Sequence, residues 1–233
     1  MLYGTPVKTK DFSFDLTINM AHNLSEVVEL TPEKKEVIFN EGESNFIIDV
    51  GAREGGKLGD IYPIQSYKRD NNGNIIIRDG YPLIEESKGN DRKAIGNIQP
   101  KLLMSVTPSF AYKGIYLTAL FDMKFGGDIV SMSESVATNY GMAKRTENRG
   151  TITVKGVNED GTPNTTAVDA ESYYKRIANV AEEFLYDASF IKLKELSLGY
   201  SFPKTLLKKT PFNSLKVAFV ARNLCYLMSH TPG

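Results

Sequence analysis

The strongest constraint on this chain is a period of two in its apolar residues. Phe12, Phe14, Leu16, Ile18 and Met20 alternate with Ser13, Asp15, Thr17 and Asn19 without a break. Successive side chains of a β-strand point to opposite faces, so 12–20 reads as a strand with one apolar and one polar side. The same holds at 115–125. Ile115, Leu117, Ala119, Phe121, Met123 and Phe125 share one face, and Tyr116, Thr118, Leu120, Asp122 and Lys124 share the other, polar apart from Leu120. The segment 106–112 reads as the partner strand, and the short Tyr112-Lys113-Gly114 connection predicts a tight hairpin turn. Further on, Leu196, Leu198, Tyr200 and Phe202 alternate with Ser197, Gly199 and Ser201, while Ile191 and Leu193 are in the opposite phase. That reversal predicts a bulge near Lys194-Glu195, or a strand rising above its apolar slab there. The last run sets Leu215, Val217, Phe219 and Ala221 against Lys216, Ala218, Val220 and Arg222. Between these two runs, 203–209 predicts one short helical turn with Pro203 at its first position.

The expected strands lie near 12–20, 101–112, 115–126, 187–202 and 214–227, and the loops at about 21–98 and 127–186. Short connections fall at one end of the strands and long ones at the other. Tyr112, Tyr200 and Phe202 mark the short end, and Phe125, Tyr186 and Tyr226 the long end. Long structureless loops are uncommon, so these loops are expected to carry their own elements. Short helices are expected within 128–140 and 169–181, strands at 36–39, 46–50 and 75–78, and turns at Asn72-Gly73 and Asp160-Gly161. Two architectures fit the pattern. One is all-β, an antiparallel meander forming part of a transmembrane β-barrel wall with long extracellular loops. The other is a soluble β-sandwich.

Composition removes other classes. Basic and acidic residues balance at 28 each, which argues against a nucleic-acid binder resting on a basic surface. A single cysteine excludes an intramolecular disulfide and a zinc site built on several thiolates. No stretch reaches the roughly 18 apolar residues of a membrane-spanning helix. Met1-Leu2-Tyr3-Gly4-Thr5-Pro6 has no basic segment followed by an apolar one, as a signal peptide would. A transmembrane strand escapes both tests, since about 9–11 alternating residues leave mean hydropathy unremarkable.

Catalytic chemistry has little to stand on. His22 and His230 are far apart in sequence and read as exposed polar residues. Cys225 has no nearby histidine to lower its pKa and reads as a semi-buried, inert thiol. Asp70, Asn72, Asn74 and Asp79 have a calcium-like spacing but lack the twelve-residue loop with its closing glutamate, so a hairpin through Asn72-Gly73 is the better reading. Glu182, Glu183 and Asp187 suggest a cation or sugar-hydroxyl site, with a solvated acidic loop as the plainer reading. No catalytic residue, metal site or cofactor is expected. On the barrel reading, Ser13, Asp15, Thr17, Asn19, Thr118, Asp122, Lys124, Lys216 and Arg222 form a lumen-facing wall. A lipid-facing Arg or Lys near the midplane would cost about 2–4 kcal/mol.

A resemblance extends this reading. Asp187-Ala188-Ser189-Phe190-Ile191-Lys192-Leu193-Lys194-Glu195-Leu196-Ser197-Leu198-Gly199-Tyr200-Ser201-Phe202-Pro203 is similar to a run near the C-terminus of SusC/RagA-type TonB-dependent outer-membrane receptors of the Bacteroidetes. Ala221-Arg222-Asn223-Leu224, followed by Ser229-His230-Thr231-Pro232-Gly233, resembles the family's next strand and exit loop. Ile95-Gly96-Asn97-Ile98-Gln99-Pro100, Phe125-Gly126-Gly127-Asp128-Ile129 and Val157-Asn158-Glu159-Asp160-Gly161-Thr162-Pro163-Asn164 resemble further family segments in the same order. Thr5-Pro6-Val7-Lys8-Thr9-Lys10-Asp11-Phe12-Ser13-Phe14-Asp15 resembles a periplasmic turn and the strand after it. The resemblance implies six or so strands of a C-terminal barrel of about 22, with the plug and N-terminal domains absent. It implies a place in the cell outer membrane, in contact with lipid, and import of an oligosaccharide or peptide. A SusD-like surface lipoprotein and the TonB complex are the implied partners, with no nucleic acid. A soluble carbohydrate-binding sandwich is the alternative, although the chain has no tryptophan for the aromatic platform such modules often present.

Overall fold

The structure, a computed structural model, describes residues 1–31, 35–39, 47–87, 92–208 and 210–231. Phe46, Lys209, Pro232 and Gly233, which figure in the readings above, lie outside the described residues. The chain forms two compact units. The first comprises Met1–Leu24, Pro100–Gly127 and Ala188–Thr231, and the second Ser25–Gln99 and Asp128–Asp187.

The first unit is a six-stranded antiparallel sheet in which every strand pairs with its neighbour in sequence. Its strands are β1 (Leu2–Lys8), β2 (Phe12–Ala21), β3 (Leu102–Tyr112), β4 (Ile115–Phe125), β5 (Phe190–Ser201) and β6 (Lys216–Ser229). The fold is all-β, as the alternation predicts. β1 is a strand that the sequence pattern conceals. Its pairing with β2 slips between Gly4 and Val7, where Pro6 has no N–H for the ladder, and the slip breaks the period of two. The periplasmic-turn reading of 5–11 is corrected accordingly: Lys8 is still paired, and the turn is confined to residues 9–11.

The β3–β4 connection is the expected tight turn. Lys113 and Gly114 both have positive φ, 47° and 91°, which matches the right-handed twist of the flanking strands. The predicted bulge in β5 is also present. Opposite β4, Glu195 faces Leu120 and Leu193 faces Phe121, so Lys194 is the extra residue. The insertion returns Ile191 and Leu193 to the face that carries Leu196 and Leu198. On the far side, Asn223 and Leu224 of β6 fall between the pairs Glu195–Arg222 and Leu193–Cys225, and Asn223 takes up the strain at φ 55°. Pro203 caps the short helix Lys204–Leu207 from outside rather than opening it.

The register makes the two faces chemically distinct. Phe14, Phe110, Leu117, Leu198 and Phe219 form one apolar row across five strands. Ile18, Val106, Phe121, Leu193 and Cys225 form another, and Met20, Met104, Met123, Ile191 and Met228 a third. Phe14 and Phe110 stack at 4.8 Å. These rows lie on a single sheet within this unit.

The second unit is inserted in two pieces, after β2 and after β4. Its largest sheet orders Gly96–Asn97, Asp60–Pro63, Ile48–Arg53 and Glu36–Ile38. Asp128–Val130 pairs with Leu185–Asp187, Thr151–Thr153 with Ala167–Asp169, and Gln65–Tyr67 with Ile84–Glu86. Ile76–Arg78 pairs with Tyr81–Pro82 and, in parallel, with Val157–Asn158. Tyr186 therefore belongs to this unit's core rather than to an aromatic end of the main sheet. Helix α1 (Met132–Asn139) starts where Ser131 Oγ accepts from the Glu134 N–H, and α2 (Ala170–Ile177) where Asp169 accepts from the Ser172 N–H. Ser135 Oγ ties the two helices by donating to Ala178 O at 2.7 Å. Ile61, Phe184, Val180, Ile177 and Ile77 are fully buried, so this unit has a packed core of its own.

Candidate functional site

The polar face of the sheet gathers the chain's patterned polar groups. Asp15 pairs with Ser109, Ser109 with Thr118, and Thr118 with Ser197, giving one polar row. Asn19, Ser105, Asp122 and Lys192 form a second. Thr17 lies opposite Thr107, Ser13 opposite Ala111, Lys124 opposite Leu103 and Phe190, Lys216 opposite Ser201, and Arg222 opposite Glu195. The register thus puts Ser13, Asp15, Thr17, Asn19, Thr118, Asp122, Lys124, Lys216 and Arg222 on one face.

Side-chain contacts knit this face across strands. Asp15 Oδ1 accepts from Tyr3 Oη at 3.2 Å and Thr5 Oγ1 at 2.6 Å. Asn19 Nδ2 donates to Ser105 Oγ at 3.2 Å, and Thr118 Oγ1 to Ser109 Oγ at 3.1 Å. Lys194 Nζ meets Asp122 Oδ2 at 2.9 Å, and Arg222 Nε meets Glu195 Oε2 at 2.9 Å. Both pairs reach solvent, so each is worth at most about 1 kcal/mol. Their role is to set the charge pattern of a wet surface.

Ser105, Thr107, Ser109, Lys192, Glu195 and Ser197 share this face and were not in the sequence-derived set. The three on β3 were legible from its own alternation. The three on β5 were masked by the phase change at Lys194, since assigning their side requires the pairing partner. Tyr116 covers Gly199, where an added Cβ would lie 2.3 Å from the ring.

The remaining candidates sit elsewhere. His22 Nδ1 contacts the Lys101 carbonyl, and the His230 N–H donates to Ser189 O. Cys225 is exposed, not semi-buried as its sequence suggests, because it lies in an apolar row on the edge strand β6. Asp70 Oδ1 accepts from the N–H groups of Asn72 and Asn74, with Gly73 at φ 86°, so this segment is a hairpin tip. Glu182 pairs with Arg69 at 2.6 Å. Glu183 accepts from Tyr67 Oη at 2.8 Å and pairs with Arg145 at 3.1 Å. Neither glutamate is thus a simply solvated acid. Burial first, then the Glu183 charge, raises the Tyr67 hydroxyl well above its ordinary pKa. Among the described residues, no group of three His, Cys, Asp or Glu is placed to hold a metal ion. No helix among them is long and apolar enough to cross a membrane, which says nothing of crossing by strands.

Comparison with known proteins gives a consistent picture. No family model matches the chain. TonB-dependent receptor P3 of Formosa agariphila is 24% identical over 235 residues, covering 94% of this chain and 22% of the receptor. TonB-dependent receptor SusC of Bacteroides thetaiotaomicron is 23% identical over 223 residues, covering 84% of this chain and 19% of SusC. The chain therefore spans about a fifth of the length of these relatives. In fold it is similar to the RagAB peptide importer in its closed-closed state, with a TM-score of 0.62 at 19% identity over 98% of this chain and 25% of that one. A second RagAB peptide transporter structure gives 0.56 at 16% identity, over 97% and 24%.

Proposed function

For a chain of the SusC/RagA receptor type, we propose that the sheet is a section of the barrel wall of an outer-membrane TonB-dependent transporter that imports glycan fragments or peptides. The apolar rows face lipid. Ser13, Asp15, Thr17, Asn19, Thr118, Asp122, Lys124, Lys216 and Arg222 face the lumen. The segments 25–99 and 128–187 are extracellular, where a SusD-like lipoprotein meets them, and the TonB complex supplies the energy. The chemistry is binding and gating, with no bond made or broken in the substrate.

The observation that carries this reading is the uncovered apolar face. Phe219 is 75% exposed, Val217 57% and Leu198 52%, next to one another on paired strands. Contiguous apolar surface of this kind is rare on soluble proteins and is required of a barrel exterior. Its height agrees. The eight residue steps from Phe12 to Met20 in β2 run about 27 Å at about 3.4 Å each. A strand tilt of about 40° leaves about 21 Å, near the apolar band of about 25 Å in such barrels. Phe12, Tyr112 and Tyr200, on the apolar face at the short-turn end, suit the interfacial aromatic girdle.

The single cysteine allows a direct test. With the chain folded into lipid vesicles, Cys225 is expected to resist a water-soluble maleimide and react with a lipid-soluble one. A Ser109→Cys, Cys225→Ala variant is expected to react with the water-soluble reagent. Rapid aqueous labelling of Cys225, with the chain monomeric and folded without detergent, would overturn the barrel reading.

A further inference from the structure

The short-turn end of the six-stranded sheet gathers unmatched positive charge. Lys10 lies in the turn between β1 and β2, Lys113 in the β3–β4 turn, and Lys204 and Lys208 in the connection from β5 to β6. All four are exposed, and among the described residues none forms an ion pair. Asp11 is the single acidic residue in these three connections. Elsewhere many cations are matched. Lys194 pairs with Asp122 and Arg222 with Glu195 on the polar face, and Arg69, Arg78 and Arg145 pair with glutamates in the inserted unit. We propose that the short-turn end binds the phosphate groups of an anionic phospholipid surface, anchoring that end of the sheet at the membrane boundary. The proposal rests on the barrel reading, in which the short turns meet the periplasmic leaflet.

Apolar and basic groups are layered here as a bilayer interface is. Phe12, Tyr112, Ile115, Tyr200 and Val217 are successive partners across β2 to β6 and form the last apolar row before the turns. The turn lysines follow directly beyond this row. Lys113 Nζ sits 5.3 Å from the centre of the Tyr112 ring, which keeps its ammonium next to the row. The Lys113 N–H donates to Asp11 O at 3.0 Å and so joins the first two turns. Between them lies a cleft of about 310 Å³ lined by Lys8, Lys10, Lys113, Phe12 and Tyr112 among others. Ammonium groups beside aromatic and aliphatic side chains suit a headgroup phosphate above its acyl chains.

The third connection repeats the arrangement. Leu206 is 64% exposed and Phe212 57%, in the same segment as Lys204 and Lys208. Lysines interleaved with exposed apolar side chains favour a lipid surface over a soluble anion, because the apolar groups gain only where hydrocarbon receives them. Charge and apolar contact then act together, and stable anchoring at an interface generally takes two such signals.

The test reconstitutes the full chain into phosphatidylcholine vesicles and compares spin-labelled phosphatidylglycerol with spin-labelled phosphatidylcholine at its surface by electron spin resonance. Phosphatidylglycerol is expected to be preferred about fivefold or more, the contribution of one lysine near an anionic surface. The preference should fall steeply in about 1 M salt, where the screening length is about 3 Å. Lys10→Gln, Lys113→Gln, Lys204→Gln and Lys208→Gln together should abolish it. Lys57→Gln, Lys68→Gln, Lys144→Gln and Lys155→Gln together, which remove the same charge from the inserted unit, should leave it intact. Lys113→Gln alone should lower it partway, which keeps the test readable if the fourfold turn variant inserts poorly. Equal retention of the two lipids, a preference that survives the turn variant, or one lost equally in the inserted-unit variant would each overturn the proposal. Complete displacement of phosphatidylglycerol by polyglutamate at equal charge would assign the patch to an acidic protein and overturn it as well. Cys225 protection is scored on the same vesicles. Loss of protection in the unaltered chain fails the barrel reading, whereas protection without lipid preference fails this proposal alone.

Discussion

Phe184 in the inserted unit is wholly buried, while Phe219 in the sheet is 75% exposed. The same residue type thus meets two different surroundings within one chain. The inserted unit buries Ile61, Phe184, Val180 and Ile77 among its own short strands and helices, as a water-soluble domain does. The buried clusters among the described residues all belong to that unit, and the sheet's apolar rows belong to none of them. The lesson is that alternation and burial are separate properties. A perfect period of two says that a strand has two sides, and only the surroundings say which side is covered.

The sharpest way to break the comparison is to delete Lys194. Removing the extra residue of the β5 bulge would turn Ile191 and Leu193 to the polar face and Lys192 to the apolar one. On the barrel reading the misplaced lysine alone costs about 2–4 kcal/mol near the midplane, so folding yield into vesicles should collapse, with protease protection as the measurement. Unchanged yield would remove the lipid-facing assignment.

Phe184→Ala and Phe219→Ala probe the two surroundings directly. The first is expected to destabilise the inserted unit by about 3–5 kcal/mol through the cavity it leaves. The second should change stability in detergent far less, because its ring is not packed into a protein core. Denaturant unfolding in detergent compares them, and equal losses would mean that the sheet has a hidden core. Next in size, Gly199→Ala pushes a methyl into the Tyr116 ring and should cost about 1–3 kcal/mol as overpacking. Pairing it with Tyr116→Ala should recover much of that loss.

The smallest expected effect is a pH dependence confined to the inserted unit. The backbone hydrogen bond from Ser172, then that residue's side chain, holds the Asp169 carboxyl below its ordinary pKa of 3.8. Because the folded value lies lower, the unfolded chain binds the proton first. The contribution of this cap is therefore complete above pH 3.8 and is lost as pH falls through the folded value. Amide exchange at the start of α2 should rise only in that acid range, and Asp169→Asn should abolish the dependence. A loss near neutrality would contradict the capping role.

Much of the sheet was legible from residues alone. β2 and β4 announce themselves by unbroken alternation, the β3–β4 turn by Lys113-Gly114, and the β5 bulge by the phase change around Lys194. The nine patterned polar residues were legible strand by strand, but their common face across β2, β4 and β6 follows only from the pairing. Less legible were the elements whose pattern is interrupted. β1 is obscured by Pro6 and its slipped register. Tyr186, read from sequence as part of an aromatic end, is drawn instead into the core around Phe184. The acidic pair Glu182 and Glu183 looked solvated because Arg69, Arg145 and Tyr67, their partners, lie far away in sequence.

What the sequence by itself determined is local: which residues form strands, where they turn, and that each strand has a polar and an apolar side. These follow from φ/ψ preference and a period of two, which act over a few residues. The tertiary structure alone decided which strands are neighbours, that the rows align across five of them, and that the two long insertions join into one packed unit. Those outcomes depend on register and on contacts between distant segments, and no short-range preference encodes either.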